Sequence, residues 1–569
     1  MIPSAAAPSR TEPSWRRDLL LLTVVFGALL AWRLGSAPLN NPDEGRYAEV
    51  PREMVAGGDW VMPQLNGVPY FEKPPLVYWM VAASQELLGG SEWSLRLTPA
   101  LFTLGGILVA YATARRLFGR DAGFWSAVVL GTSLLYAALG RMLLLDMPVT
   151  VLMAATLCCF ILGVQEPPGS RRRWLFYGLY ASAALATLSK GLMGFLLTGA
   201  VMFLWLVIYN QWRRLLPMYL PTGIALFLAI AAPWHVLAAG RHPGWAHFYF
   251  IYEHFQRYTS AAGHGRYQPW WFFIPIVLLG LFPWTGFLGC SLQSALGGGW
   301  ARRGERAVEG FFIVWAAFIL LFFSASQSKL ITYILPMFPP LAVLTGRWLA
   351  GALAQADAFA RLRTGLRIFG FLCGLIAAAL CVAVLRPGVI RDAAQATDLR
   401  PYAFVIAALL CAGALRALIP TSASGSARGR AAAYCMAGTL ALMLVVLALA
   451  APIIDLRSTK DLALAARAVV KPGDRVYHYH AFFHDFTYYS GRQVGLVAYQ
   501  DELELPFLDP AERARRFIDD AEFRREWAGP GRVFAVARIR DSAELLADPD
   551  FHYHIIAKGP HHYLFSNQP

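Results

Sequence analysis

Charged side chains of both signs are concentrated in one short stretch between apolar segments, from Leu39 to Trp79. Its ionisable residues include Asp43, Glu44, Arg46, Glu49, Arg52, Glu53, Glu72 and Lys73. Charges held at a bilayer face are unfavourable unless they are paired or used. The carboxylates could serve acid–base or charge-stabilising chemistry, and the cations could hold an anionic substrate. This stretch is therefore the first candidate site, the alternative being an ordinary solvated loop.

The composition around this stretch is that of a polytopic α-helical membrane protein. Of 569 residues, 57% are hydrophobic and only 15% are charged, against about 25% charged in soluble domains. The net charge of +14 does not indicate nucleic-acid binding, because the arginines lie between apolar segments rather than in one patch. All seven cysteines fall inside apolar segments, which argues against a disulfide framework.

Apolar runs long enough to cross a bilayer predict about 13 transmembrane helices. The predicted spans are 18–34, 95–117, 122–140, 142–164, 174–188, 191–210, 216–238, 269–291, 308–325, 329–350, 365–386, 401–419 and 432–454. Alternate connections are rich in arginine, so the positive-inside rule makes these cytoplasmic, together with the N-terminus. The first external loop is then 35–94 and the fourth is 239–268, and the C-terminal tail lies outside.

The composition changes at the end of the last span, which divides the chain into a membrane domain at 1–455 and a tail at 456–569. Five β-prone runs alternate with helical patterns in the tail, one of them over 510–527, which predicts a small extracytoplasmic α/β domain. At about 110 residues such a domain can bury its own core. Its histidine pairs are interpreted as strand-face residues, and no chemistry is assigned to it.

Several ionisable residues of the membrane domain fall at the external ends of their spans. Asp146 lies about one turn into a predicted helix, where a carboxylate needs a partner or water. Only three of the six lysines lie in the membrane part, Lys73, Lys190 and Lys329, and all three are external by this topology. A lysine ammonium is a compact charge suited to phosphate. The fourth external loop adds His254 and Arg257 among many aromatic residues.

Together these residues predict a cavity at the outer face with carboxylates Asp43 and Asp146 and cations Lys73, Arg257 and Lys329. Such a cavity suits a lipid phosphate at the membrane edge. A transporter would carry its ionisable groups near the bilayer midplane, in matched halves. A membrane enzyme is therefore favoured over a lipid or sugar carrier.

Specific motifs follow one another along the chain. NPDEGRYAEVPREM and YFEKPPLVYW in the first loop precede ALGRMLLLDMP, LSKGLMGF, HFYFIYEHFQRY, FPW and SKLITYILPMFPPLA. In this order they resemble the lipid A aminoarabinose transferases, glycosyltransferases of the GT-C fold that are related to the protein O-mannosyltransferases. The resemblance covers roughly the first 345 residues. It implies transfer of 4-amino-4-deoxy-L-arabinose from undecaprenyl phosphate to a phosphate of lipid A, at the periplasmic face of the bacterial inner membrane, leading to polymyxin resistance.

The resemblance also assigns roles to residues. Asp43 would be the essential carboxylate and Asp146 a second acidic residue at the sugar. The donor's phosphate and the substrate would be held by Lys73, Arg257, Lys329, Tyr333, Tyr47, Tyr70, Arg46 and Lys190. Glu72 and His254 could bind a divalent metal, although no metal or other cofactor is expected to be required.

Further expectations concern the reaction and the partners. A direct single displacement would invert the anomeric centre, which makes the protein an inverting glycosyltransferase. The partners would be the polyprenyl-linked donor, lipid A and membrane lipids, with no nucleic acid, and we expect a monomer. The main alternative is another polyprenyl-phosphate-sugar transferase that acts on protein or on a different glycolipid.

Overall fold

The computed structural model describes residues 14–251, 267–390, 392–419, 425–454, 457–500, 502–503 and 508–569. Within them a large helical part precedes a small sheet near the C-terminus. The helices, numbered α1 to α23, are Ser14–Ala31, Asp43–Gly57, Leu76–Leu88, Glu92–Phe118, Arg120–Gly131, Leu134–Leu139, Asp146–Gln165, Ser170–Lys190, Met193–Tyr209, Leu220–Arg241, Trp245–His247, Phe273–Gly280, Leu288–Leu296, Ala307–Ala325, Phe338–Leu353, Ala358–Leu385, Ala393–Leu418, Gly425–Ile454, Lys460–Val469, His484–Ser490, Pro510–Arg516, Asp520–Trp527 and Ala543–Ala547.

The multi-pass helical architecture is confirmed. Among the described residues, seven helices are long and apolar enough to cross a membrane, or eight if a bent pair counts as one span. Each of the 13 predicted spans coincides with a helix or with a helix pair. The remaining spans correspond to helices that are shorter, more polar or interrupted.

Two interruptions have local causes. The predicted span 122–140 divides into α5 and α6 at Thr132 and Ser133, whose hydroxyls donate to the carbonyls of Val128 and Val129 at 2.5 and 2.6 Å. Such bonds compete with the helical ladder. The span 269–291 bends by 104° between Phe273–Gly280 and Trp284–Leu296. Pro283 at this bend has no N–H to donate.

Large side chains and close backbone approaches hold the helices together. Trp205, Trp284 and Trp315 are fully buried between them. A β-carbon at Gly346 would lie 2.3 Å from the backbone nitrogen of Ser126, so α15 meets α5 at a contact that only glycine permits. Small residues at such crossings are typical of helices that pack within a bilayer.

The connection between α1 and α4 is folded rather than extended. It contains α2, the short hairpin of β1 (Gln64–Leu65) and β2 (Val68–Pro69), and α3. Although α2 carries six ionisable residues, all but a few of its side chains are buried. This burial indicates that another part of the chain covers it.

The C-terminal α/β domain contains a six-stranded sheet. Its strands are β3 (Arg475–Tyr479), β4 (Gly495–Val497), β5 (Phe517–Ile518), β6 (Val533–Arg538), β7 (His554–Lys558) and β8 (His562–Ser566). The strand order is β5-β4-β3-β6-β8-β7, with β3 parallel to both β4 and β6. The strand β8 pairs antiparallel with β6 and with β7. The predicted alternation of strands and helices is thus present.

One predicted element of this domain is wrong in detail. A single helical pattern was expected over 510–527, but α21 and α22 are separated there by β5. Asp519 caps the second helix by accepting from the backbone N–H of Glu522 at 2.8 Å. An aspartate N-cap is a helix start signal. The interruption was therefore visible in the sequence.

Candidate active site

The helix α2 begins at Asp43, whose side chain is only partly buried. Among the residues that the structure describes, no hydrogen bond or ion pair reaches the Asp43 carboxylate. The N-terminus of a helix stabilises a negative charge through its unpaired N–H groups. Asp43 is therefore an ionisable group that its helix holds in place and that no other described residue pairs with, so it can accept hydrogen bonds from a ligand.

The next residue, Glu44, is in the opposite situation. Its carboxylate is 2% exposed and accepts two bonds from Arg96, at 2.8 and 2.7 Å. It also accepts from the backbone N–H groups of Asn40 and Leu143, at 3.0 and 2.8 Å. The remaining N–H groups of Arg96 donate to carbonyls of the segment 34–38. Glu44 thereby fixes the start of α2 against α4 and against the turn that leads to Asp146.

Asp146 begins α7 and pairs with Lys190 at the end of α8. The Lys190 Nζ lies 2.5 Å from Asp146 Oδ1, and it also lies 5.0 Å from the centre of the Tyr333 ring. Both charged side chains keep some exposure, 14% and 13%. The structure thus joins three of the predicted site residues, from three different segments, at one place.

Tyr47 connects this group to Asp43. Burial raises the pKa of Tyr47 well above its usual value, and the negative charges of Asp43 and Asp146 act in the same direction. Both carboxylates therefore lie within electrostatic range of one phenol. The Tyr47 hydroxyl stays protonated at neutral pH and can donate a hydrogen bond to an anion.

A second group of predicted residues surrounds Arg46 on the same helix. The guanidinium is 4% exposed, and it lies within electrostatic range of the Glu502 and Glu72 carboxylates. The Tyr70 hydroxyl donates to Glu72 Oε2 at 3.2 Å, and Lys73 Nζ lies 3.4 Å from the same oxygen. The long Lys73–Glu72 distance describes a loose pair, which an incoming phosphate could replace at Lys73.

Lys329 has a different environment. Its ammonium donates to the backbone carbonyl oxygens of Gln268, at 2.9 Å, and Ser326, and the side chain is 5% exposed. These bonds hold two connecting segments together, and no contact to the carboxylates is present among the described residues. Arg257 and His254 lie outside the described residues, so their assignments stay predictions.

No group of three or more His, Cys, Asp or Glu side chains in the described part of the chain could hold a metal ion. Glu72, one of the two residues considered for a metal, already accepts from Tyr70 and faces Lys73. A lysine ammonium beside Glu72 disfavours a second cation there.

The sequence analysis missed the role of the C-terminal domain. Asp485 is fully buried and accepts from the Asn41 side chain, from the Ser458 hydroxyl at 2.8 Å, and from the backbone N–H and hydroxyl of Thr459 at 2.6 and 2.7 Å. The Asn41 Oδ1 in turn accepts from the Asp485 N–H at 3.1 Å. Two residues before Asp43, the first loop is thus bound to the tail.

Further contacts extend this interface along the loop. Glu502 of the C-terminal domain pairs with Arg46. A β-carbon at Gly45 would lie 2.5 Å from the Asp485 nitrogen, so glycine is required there for the two backbones to approach. The Asn66 side chain exchanges two hydrogen bonds with the Val494 backbone, at 3.0 and 2.8 Å. The charged residues of the loop indicated only that partners were needed. The partners themselves lie in the C-terminal domain, too far along the chain for any local pattern to predict them.

Comparisons with known proteins agree with this architecture. Residues 72–236 match a family model described as dolichyl-phosphate-mannose-protein mannosyltransferase. The undecaprenyl phosphate-alpha-4-amino-4-deoxy-L-arabinose arabinosyl transferase of Pectobacterium carotovorum subsp. carotovorum (strain PC1) is 34% identical over 372 residues, which span 64% of this chain and 66% of that protein. The transferase of the same name from Pseudomonas paraeruginosa (strain DSM 24068 / PA7) is 34% identical over 388 residues, or 66% of this chain and 67% of the relative.

The likeness in structure extends further along the chain than the likeness in sequence. A crystal structure of ArnT from Cupriavidus metallidurans bound to undecaprenyl phosphate superimposes with a TM-score of 0.83 at 27% identity, over 98% of both chains. The resemblance seen in the motifs is thereby confirmed, as is the GT-C fold. This chain belongs to the family of undecaprenyl phosphate-alpha-4-amino-4-deoxy-L-arabinose arabinosyl transferases.

Proposed function

We propose that the protein is an inverting glycosyltransferase that moves 4-amino-4-deoxy-L-arabinose from undecaprenyl phosphate to a phosphate of lipid A. The observation that supports this most directly is the likeness, over 98% of the chain, to an ArnT structure bound to undecaprenyl phosphate. The modified lipid A has a lower negative charge, which gives resistance to polymyxin and other cationic peptides.

The proposed reaction is a single displacement at the anomeric carbon. An oxygen of the acceptor phosphate forms a bond to this carbon while the bond to the undecaprenyl phosphate oxygen breaks, and the electron pair leaves with that phosphate. The acceptor is already an anion, so no general base has to remove a proton. Positive charges that are fixed where negative charge develops lower the barrier. We infer that Lys73 supplies such a charge, and that Arg46 adds to it, because both cations lie near Glu72.

The carboxylates act on the sugar. Asp43 has no protein partner among the described residues, so it is available to the amino group of the sugar or to the positive charge that develops at the anomeric carbon. Asp146 is oriented by Lys190. This scheme uses no metal, and we propose that the enzyme keeps its activity in a chelator.

We further propose that the reaction occurs at the periplasmic face of the bacterial inner membrane. The arginine-rich alternate connections support a cytoplasmic N-terminus. The first loop and the C-terminal domain lie at one end of the helical bundle, since they are hydrogen-bonded to each other. That end is then periplasmic, and the enzyme works as a monomer.

A second candidate is transfer of another polyprenyl-linked sugar to protein. It is favoured by the match of residues 72–236 to the mannosyltransferase model. That match covers less of the chain than the matches to arabinosyl transferases. A sugar or lipid carrier finds no support in either comparison.

The test is the lipid A of a living cell. We would express the wild type, Asp43→Asn and Lys73→Ala in an enterobacterial strain that lacks its own aminoarabinose transferase, and record the mass spectrum of extracted lipid A. We expect one added aminopentose with the wild type and none with either variant. Glu86→Gln and Lys471→Ala are matched controls, because both residues are exposed and neither belongs to the site.

Two results would contradict the proposal. Unmodified lipid A in the presence of folded wild-type protein would exclude this acceptor and favour the second candidate. Lipid A that is still modified by Asp43→Asn would remove Asp43 from the catalytic site.

A further inference from the structure

A cavity separate from the group of candidate site residues lies between the C-terminal domain and the membrane helices. Its volume is about 1130 Å³, and it is lined on one side by Pro42, Asp392 and Gln395 and on the other by Phe483, Arg538 and Arg540. None of the described residues that were predicted for the active site lines it. Pro42, however, immediately precedes Asp43, so the cavity reaches the edge of the active site.

The topology of the sheet places this cavity where α/β folds bind ligands. The chain passes from β3 to β4 and β5 on one side, and β6 then pairs with the other edge of β3. The strand order thus reverses between β3 and β6. In open α/β sheets, ligands bind beyond the carboxyl ends of the strands at such a switch point. Phe483 follows β3, Tyr499 follows β4, and Arg540 follows β6, and all three line the cavity.

The lining of the cavity carries excess positive charge. Arg457, Arg538 and Arg540 contribute to it, against one acidic lining residue, Asp392. The Asp392 carboxylate is occupied as the cap of α17, since it accepts from the N–H groups of Ala394 and Gln395 at 2.8 and 3.0 Å. Arg538 and Arg540 share one carboxylate, Asp541, at 3.1 and 3.0 Å. Arginine forks are well suited to phosphate.

The other wall connects the cavity to the membrane. Asp392 and Gln395 lie at the start of α17, which is long and apolar enough to cross a bilayer. Gln395 also donates to the carbonyls of Ile453 and Ile454 at the end of α18, another such helix. A molecule in the cavity therefore lies at the membrane surface, where acyl chains attached to it could remain in the bilayer.

We propose that this cavity binds the phosphorylated saccharide headgroup of the acceptor glycolipid, an inference that rests on the proposed function. The arginines hold a phosphate, and Tyr499, which is 39% exposed, offers a flat face to a sugar ring. The headgroup then spans from the switch point to Pro42, so that a second phosphate can face the donor near Asp43. The donor's own phosphate uses the separate group around Lys73.

The test separates acceptor from donor. We would purify the full-length Arg538→Ala/Arg540→Ala variant and measure the transfer rate while lipid A and the undecaprenyl donor are varied in turn. We expect the KM for lipid A to rise by about tenfold or more, as for loss of charge-assisted bonds, while kcat and the donor's KM stay within about twofold. The matched control is Arg513→Ala/Arg525→Ala, which removes two exposed arginines of the same domain outside the cavity.

Binding of lipid A, measured by native mass spectrometry without donor, gives a readout that does not need the reaction. Weaker binding by the cavity variant than by the control supports the proposal, whether or not the wild type transfers sugar to lipid A. Equal binding or equal KM values in the cavity variant and the wild type would overturn it, as would a change in the donor's KM alone. If the Ala variant is unstable, the Arg538→Lys/Arg540→Lys variant replaces it, because this variant keeps the charge. Its binding of lipid A is expected to lie between that of the Ala variant and that of the wild type.

Discussion

Two regions of the molecule use carboxylates in opposite ways. At the interface between the first loop and the rest of the chain, Glu44 and Asp485 are buried, and each accepts hydrogen bonds from four donors. At the candidate site, Asp146 has one ion-pair partner, Lys190, and Asp43 has none among the described residues. Satisfied carboxylates hold a structure together, whereas unsatisfied ones remain available to a ligand. The number of donors distinguishes the two roles more clearly than the position in the sequence does.

The largest effect is expected from Asp43→Asn. Because Asp43 has no partner to lose among the described residues, Tm should stay within a degree or two of the wild type, while the transfer rate falls by about a thousandfold, as when a key electrostatic group is removed. Thermal unfolding and donor turnover of the purified protein would be measured together. A large loss of Tm would show that Asp43 is a structural carboxylate like Glu44 and Asp485, and would contradict the distinction between the two kinds.

Asp485→Ala should act in the opposite order. It leaves four donors without this acceptor, two of them the buried N–H and hydroxyl of Thr459, so unfolding should become easier by about 3 kcal/mol or more. Tm is the primary measurement, and activity should fall only as far as the folded fraction and the placement of Asn41 fall. Asp548→Ala is a suitable control, because that residue lies on the same domain and pairs only with an exposed arginine. An unchanged Tm would contradict the role of Asp485 in holding the first loop to the C-terminal domain.

Glu44→Gln should lower both stability and rate. It leaves the buried guanidinium of Arg96 without its counter-charge, which destabilises by about 3 kcal/mol, and it loosens the turn before Asp146. A second change, Arg96→Gln, should recover part of the Tm, because the unpaired charge is removed. A double variant whose loss equals the sum of the single losses would show that the two side chains do not act as a pair.

Lys190→Ala tests the remaining pair at the site. Without the ammonium, Asp146 loses the partner that orients it, and we expect the rate to fall by about tenfold with little change in Tm. Lys190→Arg should restore part of the rate. A loss as large as that of Asp43→Asn would instead indicate that Lys190 itself contacts the donor's phosphate.

The smallest effect concerns pH. Burial, and next the charge of Glu49, raise the pKa of Glu53 from 4.5 to about 8. Glu53 is therefore protonated in the folded protein at neutral pH but ionised in the unfolded chain. Its contribution to stability is complete below pH 4.5 and is lost as the pH rises through 8. Tm should decline between about pH 5 and pH 8 in the wild type, and Glu53→Gln should reduce the decline. Identical pH profiles would remove Glu53 as the cause.

The sequence predicted the spans because they depend on local patterns. Apolar runs and alternating arginines indicate helices and their order. The motifs of the first 345 residues grouped the candidate site residues, and the structure pairs Asp146 with Lys190, while the roles of the site residues stay predictions. What it did not predict is pairing over distance. The partner of Glu44 is Arg96, a cation inside a predicted span, and the partner of Asn41 is Asp485. Nothing in either neighbourhood indicates the other.

Lys329 shows a different limit of prediction from sequence, since a residue that looked functional has structural partners. Its type and external position suggested a phosphate ligand, yet its ammonium donates to two backbone carbonyls. A sequence does not distinguish a lysine that joins two segments of the protein from a lysine that binds a substrate. Only their hydrogen-bond partners separate them. The same criterion distinguished Glu44 from Asp43, which are neighbours in the chain.

The hydrogen bonds between Asn41 and Asp485 also have a consequence for biosynthesis. The first loop leaves the ribosome more than 400 residues before the groups that bind it, since 444 positions separate these two residues. Until the tail is made and folded, Gly45, Asn66 and Arg46 lack their partners, and α2 has no cover for its buried side chains. A chain that stops after its last membrane helix has every residue of the site in its sequence but cannot complete it. The candidate site is therefore expected to become complete only after the tail has been made and has folded.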